Sequence, residues 1–417
     1  MINSGDVAFV LIGSMLVFFM TPGLGLFYGG MVRRKNVINT LMSVLFCCGL
    51  ATVMWFAIGY SISFGEDVGG LGVVGNLSHA FFSGVSATEA GPYAANIPGA
   101  LFAIFQLMFC IITPAILVGA LEGRMKFSAM FIFIAFWLLL VYYPLAHMVW
   151  GLGGFIAGLG AVDFAGGNVI HISSGVSGLV ACIILGKRKG YGILAYHPHN
   201  IPMVFIGGAI LWVGWFAFNG ASALAANGLA VQAMGNTMIA SAAAMLSWML
   251  MESILYKKVT VLGAVTGAVI GLVAITPGSG YVPFGAALVI GTLVSPICLF
   301  FMTKIKQKFG YDDSLDAFGC HGIGGIWGGI ATGLFAQSAI NPLAQWDGLF
   351  FGATELLVAQ LMAVGISIIY SAVMTAGIML VLKKVMNIRV SPEAEALGLD
   401  ISEHSEQGYP AFSGIDQ

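Results

Sequence analysis

The amino-acid sequence predicts an all-α integral membrane protein with eleven transmembrane helices. Hydrophobic residues make up 59% of the 417 residues and charged residues only 8%, which leaves too few polar residues to cover a water-soluble protein. The 16 Lys and Arg residues fall into six short clusters, and each cluster follows an odd-numbered apolar stretch. Because positive charge is retained on the cytoplasmic side of a cell membrane, this alternation predicts an outside N-terminus and a cytoplasmic C-terminus.

Each predicted helix is an apolar run of roughly 20 residues, the length that crosses a bilayer. The runs lie near residues 7–31, 38–64, 100–121, 127–147, 160–186, 201–222, 231–256, 259–276, 283–302, 317–336 and 349–382. The basic clusters occupy residues 33–35, 124–126, 187–189, 257–258, 304–308 and 383–389. At about 1.5 Å per residue the last run is longer than a bilayer core, so we expect it to be tilted or to project inward.

The chain divides into a predicted transmembrane domain, residues 1–382, and a short, polar and acidic cytosolic tail, residues 383–417. No basic residue precedes Arg33, so we expect the first helix to be retained rather than cleaved as a signal peptide. The six cysteines lie inside predicted helices without the CxxC spacing of a metal site. We therefore expect reduced packing cysteines and neither a metal nor a cofactor, and we expect the lipid bilayer but no nucleic acid as a partner.

Two similar stretches indicate an internal repeat. One runs from Asp163 to His171 in the fifth predicted helix, and the other from Asp316 to His321 in the tenth. They lie five helices apart, and because five is odd the second half would be inserted upside down relative to the first. The sequence thus predicts two inverted five-helix repeats, about 1–190 and 195–340, followed by a long C-terminal helix, with a substrate path where the repeats meet.

His171 and His321 lie beside Gly-rich backbone inside these helices. Ionisable residues within a membrane are costly and usually face a cavity or a partner. A single histidine would most simply be a helix-to-helix hydrogen bond, but two at pseudo-symmetric positions favour a shared pore. Desolvation would keep both imidazoles neutral, so that each donates from one nitrogen and accepts at the other.

The outer connections between the predicted helices carry acidic residues and no basic ones. These residues are Asp6, Glu66, Asp67, Glu89, Asp163 and Asp347. A face of this sign concentrates cations and repels anions at its mouth. The scarcity of Lys and Arg in outer loops is an equally good explanation of the pattern.

The stretch from Asp163 to Gly175, Asp-Phe-Ala-Gly-Gly-Asn-Val-Ile-His-Ile-Ser-Ser-Gly, resembles the signature of the ammonium transporter family (the Amt/Mep/Rhesus superfamily), in its Amt branch. The similarity covers essentially the whole chain. Its further motifs are Pro22-Gly-Leu-Gly-Leu-Phe-Tyr-Gly-Gly30, Ala146-His-Met-Val-Trp150-Gly, Trp215-Phe-Ala-Phe218-Asn-Gly-Ala-Ser222, Ile275-Thr276-Pro277, Asp316-Ala-Phe-Gly-Cys-His321-Gly and Gly398-Leu-Asp400-Ile-Ser-Glu-His404.

The resemblance implies roles for residues near the outer mouth. Trp150 and Ser222 correspond to an ammonium recruitment site, with Phe105 beside it. Phe109 and Phe218 match a stacked aromatic gate, and Phe109 also borders the recruitment site.

Further in, the resemblance assigns His171 and His321 to paired pore histidines and Trp215 to the pore lining. It makes Asp163 a carboxylate needed near the mouth without binding ammonium directly. It also implies a homotrimer with one pore per subunit, and a PII-type signalling protein at the cytosolic face. The substrates would be ammonium or ammonia and, as an open question, methylammonium.

The residue types suit a pore that recruits ammonium, removes a proton and conducts ammonia into the cytoplasm. An intact cation in a low-dielectric pore costs on the order of 20 kcal/mol in the idealised Born picture. Aromatic faces attract the cation at the mouth, and a serine hydroxyl accepts a hydrogen bond from ammonium but not from potassium.

Two functions of other classes remain open alternatives. One is an ammonium sensor that binds without conducting, although the tail is short for an appended signalling domain. The other is an intramembrane hydrolase that uses His171 with Ser174 or Ser177. The hydrolase lacks a recognised nucleophile motif and an orienting carboxylate, so an enzyme is not the predicted function.

Overall fold

The computed structural model describes residues 1–193 and 196–409, and these residues are mostly helical. Eleven helical segments, α1 to α11, follow the predicted apolar runs. They are α1 Ser4–Met31; α2 Val37–Met54, Trp55–Gly59 and Tyr60–Phe64; α3 Gly99–Val118; α4 Phe127–Trp137, Leu138–Tyr142 and Tyr143–Trp150; α5 Gly167–Ile172 and Ser173–Leu185; α6 Ile201–Gly220; α7 Gly228–Tyr256; α8 Val261–Ile275; α9 Phe284–Phe300, Phe301–Ile305 and Lys306–Phe309; α10 Phe318–Gly322 and Ile323–Phe335; and α11 Glu355–Val385.

Nine helices in the described residues are long and apolar enough to cross a membrane, and Val261–Ile275 is a shorter apolar helix. The remaining segment, α10, begins with a π-helical turn before its regular part. The connections hold a two-stranded antiparallel hairpin of β1 (Ala90–Gly91) and β2 (Ala94–Pro98). The predicted all-α membrane fold is therefore confirmed, with one small β-hairpin in the loop between α2 and α3.

The helix bounds differ from the apolar runs at several ends. Residues 160–166, predicted as the start of the fifth helix, lie outside it because α5 begins at Gly167. The fourth helix continues to Trp150, and the ninth continues to Phe309. The last helix begins at Glu355 and has 31 residues, or about 46 Å at 1.5 Å per residue, so it is longer than a bilayer core of about 30 Å.

The first helices of the two halves, α1 and α6, pack closely against each other. Gly207 lies directly against the backbone of α1, and a Cβ at this position would come within 2.2 Å of the Phe27 nitrogen. A small residue is needed there because the absence of a side chain lets two membrane helices approach. The long α11 packs on α5 and α10, the two helices that carry the histidines.

The described part of the C-terminal tail is folded against the start of α2. Two short helices, α12 (Pro392–Leu397) and α13 (Leu399–His404), form this part. The Asn39 backbone N–H donates to Asp400 Oδ1 at 2.9 Å, and the His404 ring lies 3.1 Å from Asn39 Oδ1. The end of the predicted tail, residues 410–417, lies outside the described residues.

Candidate functional site

Two buried histidines meet between α5 and α10. His171 and His321 each lie in a π-helical turn, Gly167–Ile172 and Phe318–Gly322, and π turns occur frequently at functional sites. Their Nδ1 atoms are 3.2 Å apart, and the exposed fractions of the residues are 0% and 4%. At this distance one Nδ1 carries the hydrogen and the other accepts it, an arrangement that suits two neutral imidazoles.

A buried carboxylate holds the start of α5. Asp163 Oδ1 accepts from the N–H groups of Gly166 at 2.8 Å and Gly167 at 2.7 Å, and Oδ2 accepts from that of Asn168 at 2.7 Å. The chain turns at Gly166, whose φ of 113° is accessible to glycine without strain. Because these first N–H groups have no helical partner, the carboxylate positions the turn that carries His171.

The counterpart of Asp163 in the second half is Asp313, not Asp316 as the sequence comparison had it. Asp313 accepts from the N–H groups of Ala317 at 3.1 Å and Phe318 at 2.8 Å, four and five residues further on. Asp163 makes the same pattern, and each carboxylate precedes its histidine by eight residues.

Asp316, the residue chosen from sequence, instead pairs with Lys306 at 2.6 Å. Burial raises the pKa of Asp313 above its ordinary value; Lys306 opposes this shift and Asp316 adds to it. Asp313, which holds the start of α10, therefore has a second acidic side chain, Asp316, close to it.

The two histidine helices cross at a point of backbone contact. A Cβ at Gly175 would come within 2.2 Å of the Gly322 nitrogen, so no side chain fits between α5 and α10 there. Since Gly322 follows His321 directly, this contact sets how closely the imidazoles approach.

Aromatic rings cover the histidine pair on its outer side. Trp215 stacks on His171, with ring centroids 5.4 Å apart and an interplanar angle of 18°. Phe218 lies nearly parallel to His171 at 6.0 Å, and Phe109 meets Phe218 at 4.7 Å and 79°. Phe109 and Phe218 thus meet edge to face, whereas the resemblance implied a stacked pair. Aromatic quadrupoles favour the edge-to-face arrangement.

A cavity of about 650 Å³ lies on the far side of these phenylalanines. We call it the outer vestibule because the orientation predicted from the basic clusters would place it outside. Trp150, Ser222 and Phe109 line it. The Trp150 Nε1–H donates to the Asp163 carbonyl at 2.9 Å, and the Ser222 hydroxyl donates to the Phe218 carbonyl at 2.7 Å. With its hydrogen directed away, the Ser222 oxygen can accept a hydrogen bond from a bound cation.

Phe105 lies beside the vestibule, against the ring of Phe109. Its exposed fraction is 0%, and its ring packs edge-on against Phe109 with centroids 4.9 Å apart. The vestibule wall at this point is formed by Phe109, so Phe105 supports that ring from behind.

A second cavity of about 280 Å³, called the inner vestibule after the same predicted orientation, lies on the other side of the histidine pair, and His321 lines it. Phe109, Phe218, His171 and His321 thus follow one another in contact from the outer to the inner cavity. Sequence reasoning gave no role to Thr276, whose hydroxyl accepts from the Trp215 indole N–H at 2.9 Å. In the described residues no group of three or more His, Cys, Asp or Glu side chains is placed to hold a metal.

Comparison with known proteins identifies the family. Residues 8–409 match the Ammonium Transporter Family. The chain is 47% identical over 405 residues to an ammonium transporter of Bacillus subtilis, covering 97% of this chain and 98% of that one. It is 42% identical over 408 residues to ammonium transporter Amt1 of Archaeoglobus fulgidus, covering 98% and 100%.

Solved structures agree. The crystal structure of Saccharomyces cerevisiae Mep2 is similar with a TM-score of 0.90 and 31% identity, covering 99% of this chain and 93% of that one. A structure described as a sensor Amt protein is similar with a TM-score of 0.87 and 26% identity, covering 96% and 98%. The fold and the buried histidine pair define a multi-pass membrane protein with a candidate pore. The chain belongs to the Ammonium Transporter Family.

Proposed function

We propose that this protein transports ammonium by recruiting the cation in the outer vestibule, where it gives up a proton to water, and conducting ammonia past the histidine pair. The observation that carries the proposal is the buried contact between His171 and His321, which lies between two cavities and beneath Phe218. The family and its relatives named for ammonium transport support the same substrate.

The outer vestibule offers the features that a recruitment site needs. The half-buried Trp150 and the Phe109 ring supply π faces, and the Ser222 oxygen is free to accept. Cation attraction to the rings favours ammonium over water, and the directional hydrogen bond favours ammonium over potassium. Both carboxylate oxygens of Asp163 accept hydrogen bonds from backbone N–H groups, so this side chain shapes the site and does not bind the cation.

The path further in excludes an intact cation. Phe109 and Phe218 have exposed fractions of 1% and 0%, and the imidazoles beneath them are buried in the protein. Moving a small cation there would cost far more than two neutral imidazoles restore. Ammonia has no such cost, and it can donate to and accept from the imidazole nitrogens.

The test of this function is flux through purified protein in sealed vesicles at clamped voltage. We expect an ammonium gradient to drive uptake and an equal potassium gradient to drive none. Ammonium binding without flux would instead favour a sensor, the function named for one of the similar structures. Current measured in the same vesicles determines whether charge accompanies each ammonia.

We further propose an outside N-terminus and a cytoplasmic C-terminus in the cell membrane. The support is that the loops after even-numbered helices lack Lys and Arg. A reporter fused after Lys189 is expected in the cytoplasm, and one inserted in the loop 65–99 outside. A cytoplasmic result for the loop would contradict this orientation.

The assembly that we propose is a homotrimer, with a PII-type protein binding at the cytosolic face. Family membership supports the trimer, and the folded tail beside the inner mouth supplies a surface for such a partner. Light scattering of the purified protein tests the trimer, and pull-down with a PII-type protein tests the partner.

Replacing Trp150 by Leu is expected to weaken the apparent affinity for ammonium by about two- to thirtyfold. This range corresponds to the loss of a cation–π contact of about 0.5–2 kcal/mol. Ser222→Ala should act in the same direction through the lost acceptor. The measurement is ammonium competition against methylammonium uptake. Trp327→Leu is the matched control, because Trp327 is also half-buried and donates to a carbonyl, that of Ile290, but does not line the vestibule. Unchanged competition in both vestibule variants would refute the recruitment site.

A further inference from the structure

A third buried histidine lies close to the recruitment site without joining the pore. His147 is on α4, three residues before Trp150, and its exposed fraction is 0%. Its Nδ1 is 3.1 Å from the Ser63 carbonyl oxygen, and its Nε2 is 3.3 Å from Asp67 Oδ1. Both partners come from the end of α2 and the loop that follows it.

The partners determine the proton arrangement. A carbonyl oxygen can only accept, so Nδ1 carries a hydrogen that it donates to Ser63. The second nitrogen, Nε2, is then the ring atom that faces Asp67 Oδ1 at 3.3 Å, and the bridge joins the imidazole to the carboxyl group. The other carboxylate oxygen, Asp67 Oδ2, is buried and has no hydrogen-bond partner in the described part of the chain. The side chain of Asp67 is thus committed to His147.

Asp67 belongs to a hairpin that holds the chain on both sides of Trp150. The Val68 N–H donates to the Val74 carbonyl at 3.0 Å, which closes the hairpin. At its tip the Gly72 carbonyl accepts from the Phe155 N–H at 2.8 Å. The hairpin therefore contacts His147, which precedes Trp150 in the chain, and Phe155, which follows it.

The backbone that follows Trp150 rests on the imidazole. The Gly151 N–H donates to the His147 carbonyl at 2.8 Å, and a Cβ at Gly151 would come within 2.5 Å of His147 Nδ1. The indole itself is held at its far end by the Asp163 carbonyl. The position of the Trp150 backbone, from which the indole extends, therefore depends on where His147 holds the end of α4.

We propose that Asp67 and His147 are positioning residues for Trp150, and that their bridge sets the apparent affinity for ammonium at the outer mouth. The bridge acts through the place and tilt of the indole and not through contact with the cation. This inference rests on the proposed function, since it assigns a determinant of substrate affinity to the same vestibule.

The test compares the ammonium concentration that gives half-maximal flux with the maximal flux, in vesicles that hold equal amounts of protein. Asp67→Ala breaks the bridge and is expected to raise the half-maximal concentration about three- to tenfold with the maximal flux retained, a partial loss of the cation–π attraction. Asp67→Asn should restore most of the affinity, because its side-chain amide is nearly the same size and can still form a hydrogen bond with Nε2 of His147. If Asp67→Ala does not fold, Asp67→Ser, which is too short to reach the imidazole, replaces it.

The neighbouring acid supplies the matched control. Glu66 is exposed on the same hairpin and its side chain contacts Asn76 rather than His147. Glu66→Ala removes the same charge, so it should leave the half-maximal concentration unchanged. An equal shift in Glu66→Ala and Asp67→Ala would mean that charge alone matters, and it would overturn the positioning role.

A double variant tests whether the effect passes through the indole. In the Trp150→Leu background, Asp67→Ala should add no further shift, because residues that act through one another are not additive. Full additivity, or a fall in maximal flux with no shift in the half-maximal concentration, would overturn the inference. If wild type conducts no ammonium, the proposed function and this inference fail together. If wild type conducts and the Asp67 variants behave like Glu66→Ala, only the inference fails.

Discussion

His171→Asp is expected to admit potassium to a pore that excludes it in the wild type. The residue is fully buried, and its Nε2 has no hydrogen-bond partner within the described residues. A carboxylate there would offset part of the desolvation cost of an intact cation, and a change of about 1.4 kcal/mol already alters flux tenfold. Potassium flux should therefore rise at least about tenfold, while ammonium flux is retained or reduced.

The measurement is potassium and ammonium flux through wild type and His171→Asp in the same vesicles, with folding checked by size-exclusion chromatography. His171→Asn is the matched control, since asparagine has nearly the same size as aspartate but no charge. It should reduce ammonium flux without admitting potassium, and Ala at either histidine should do the same. A folded Asp variant that conducts ammonium and still excludes potassium would make the histidines structural residues.

Asp163→Ala is expected to abolish transport by loosening the start of α5. The substitution leaves three buried N–H groups, those of Gly166, Gly167 and Asn168, without their acceptor. Each unsatisfied buried donor costs about 1–3 kcal/mol, so the sum is comparable with the whole stability of many proteins. Because the Asp163 carbonyl also holds the Trp150 indole, the vestibule should be disturbed together with the histidine turn.

Thermal unfolding in detergent and ammonium flux measure this effect. Asp163→Asn keeps one acceptor oxygen and should fall between Ala and wild type in both measurements. Glu89→Ala removes an exposed acid from the outer loop and is the control for charge. An Asp163→Ala variant as stable and active as Glu89→Ala would show that the carboxylate is dispensable.

Much of the fold follows from composition and periodicity, because a bilayer demands long apolar helices and the basic clusters separate them. The exceptions are instructive. Residues 160–166 are apolar enough to extend the fifth helix, but the Asp163 side chain takes the N–H groups at which that helix begins. The apolarity of a segment indicates whether it is compatible with lipid, but it does not indicate where a side chain ends the helix by binding its first N–H groups.

The histidine pair was predictable because its two members recur in the two halves. The carboxylate of the second half is harder to identify, since Asp312, Asp313 and Asp316 all precede His321 and only their distance from that histidine distinguishes them in the sequence. Asp313 caps the turn, Asp312 pairs with Arg188, and Asp316 pairs with Lys306. Counting eight residues back from each histidine would have selected Asp313.

Contacts between distant parts of the chain were beyond prediction from one sequence. The bridge between Asp67 and His147 spans eighty residues, and the docking of Asp400 on Asn39 spans 361. Neither pair carries a spacing or a motif, so nothing in the sequence associates one partner with the other. Phe105 and Phe109 share a face of α3, but which ring reaches the vestibule depends on the packing around them.

The backbones of α5 and α10 touch where the helices cross, at Gly175 and Gly322, so this contact is a pivot between the two halves. Two helices in backbone contact can rotate slightly about that point, but they cannot slide past each other without separating the imidazoles. Rocking of one half against the other, the motion of alternating-access carriers, would have to break this pivot. A transport cycle that keeps the contact between Gly175 and Gly322 intact would therefore leave the two imidazoles where they are.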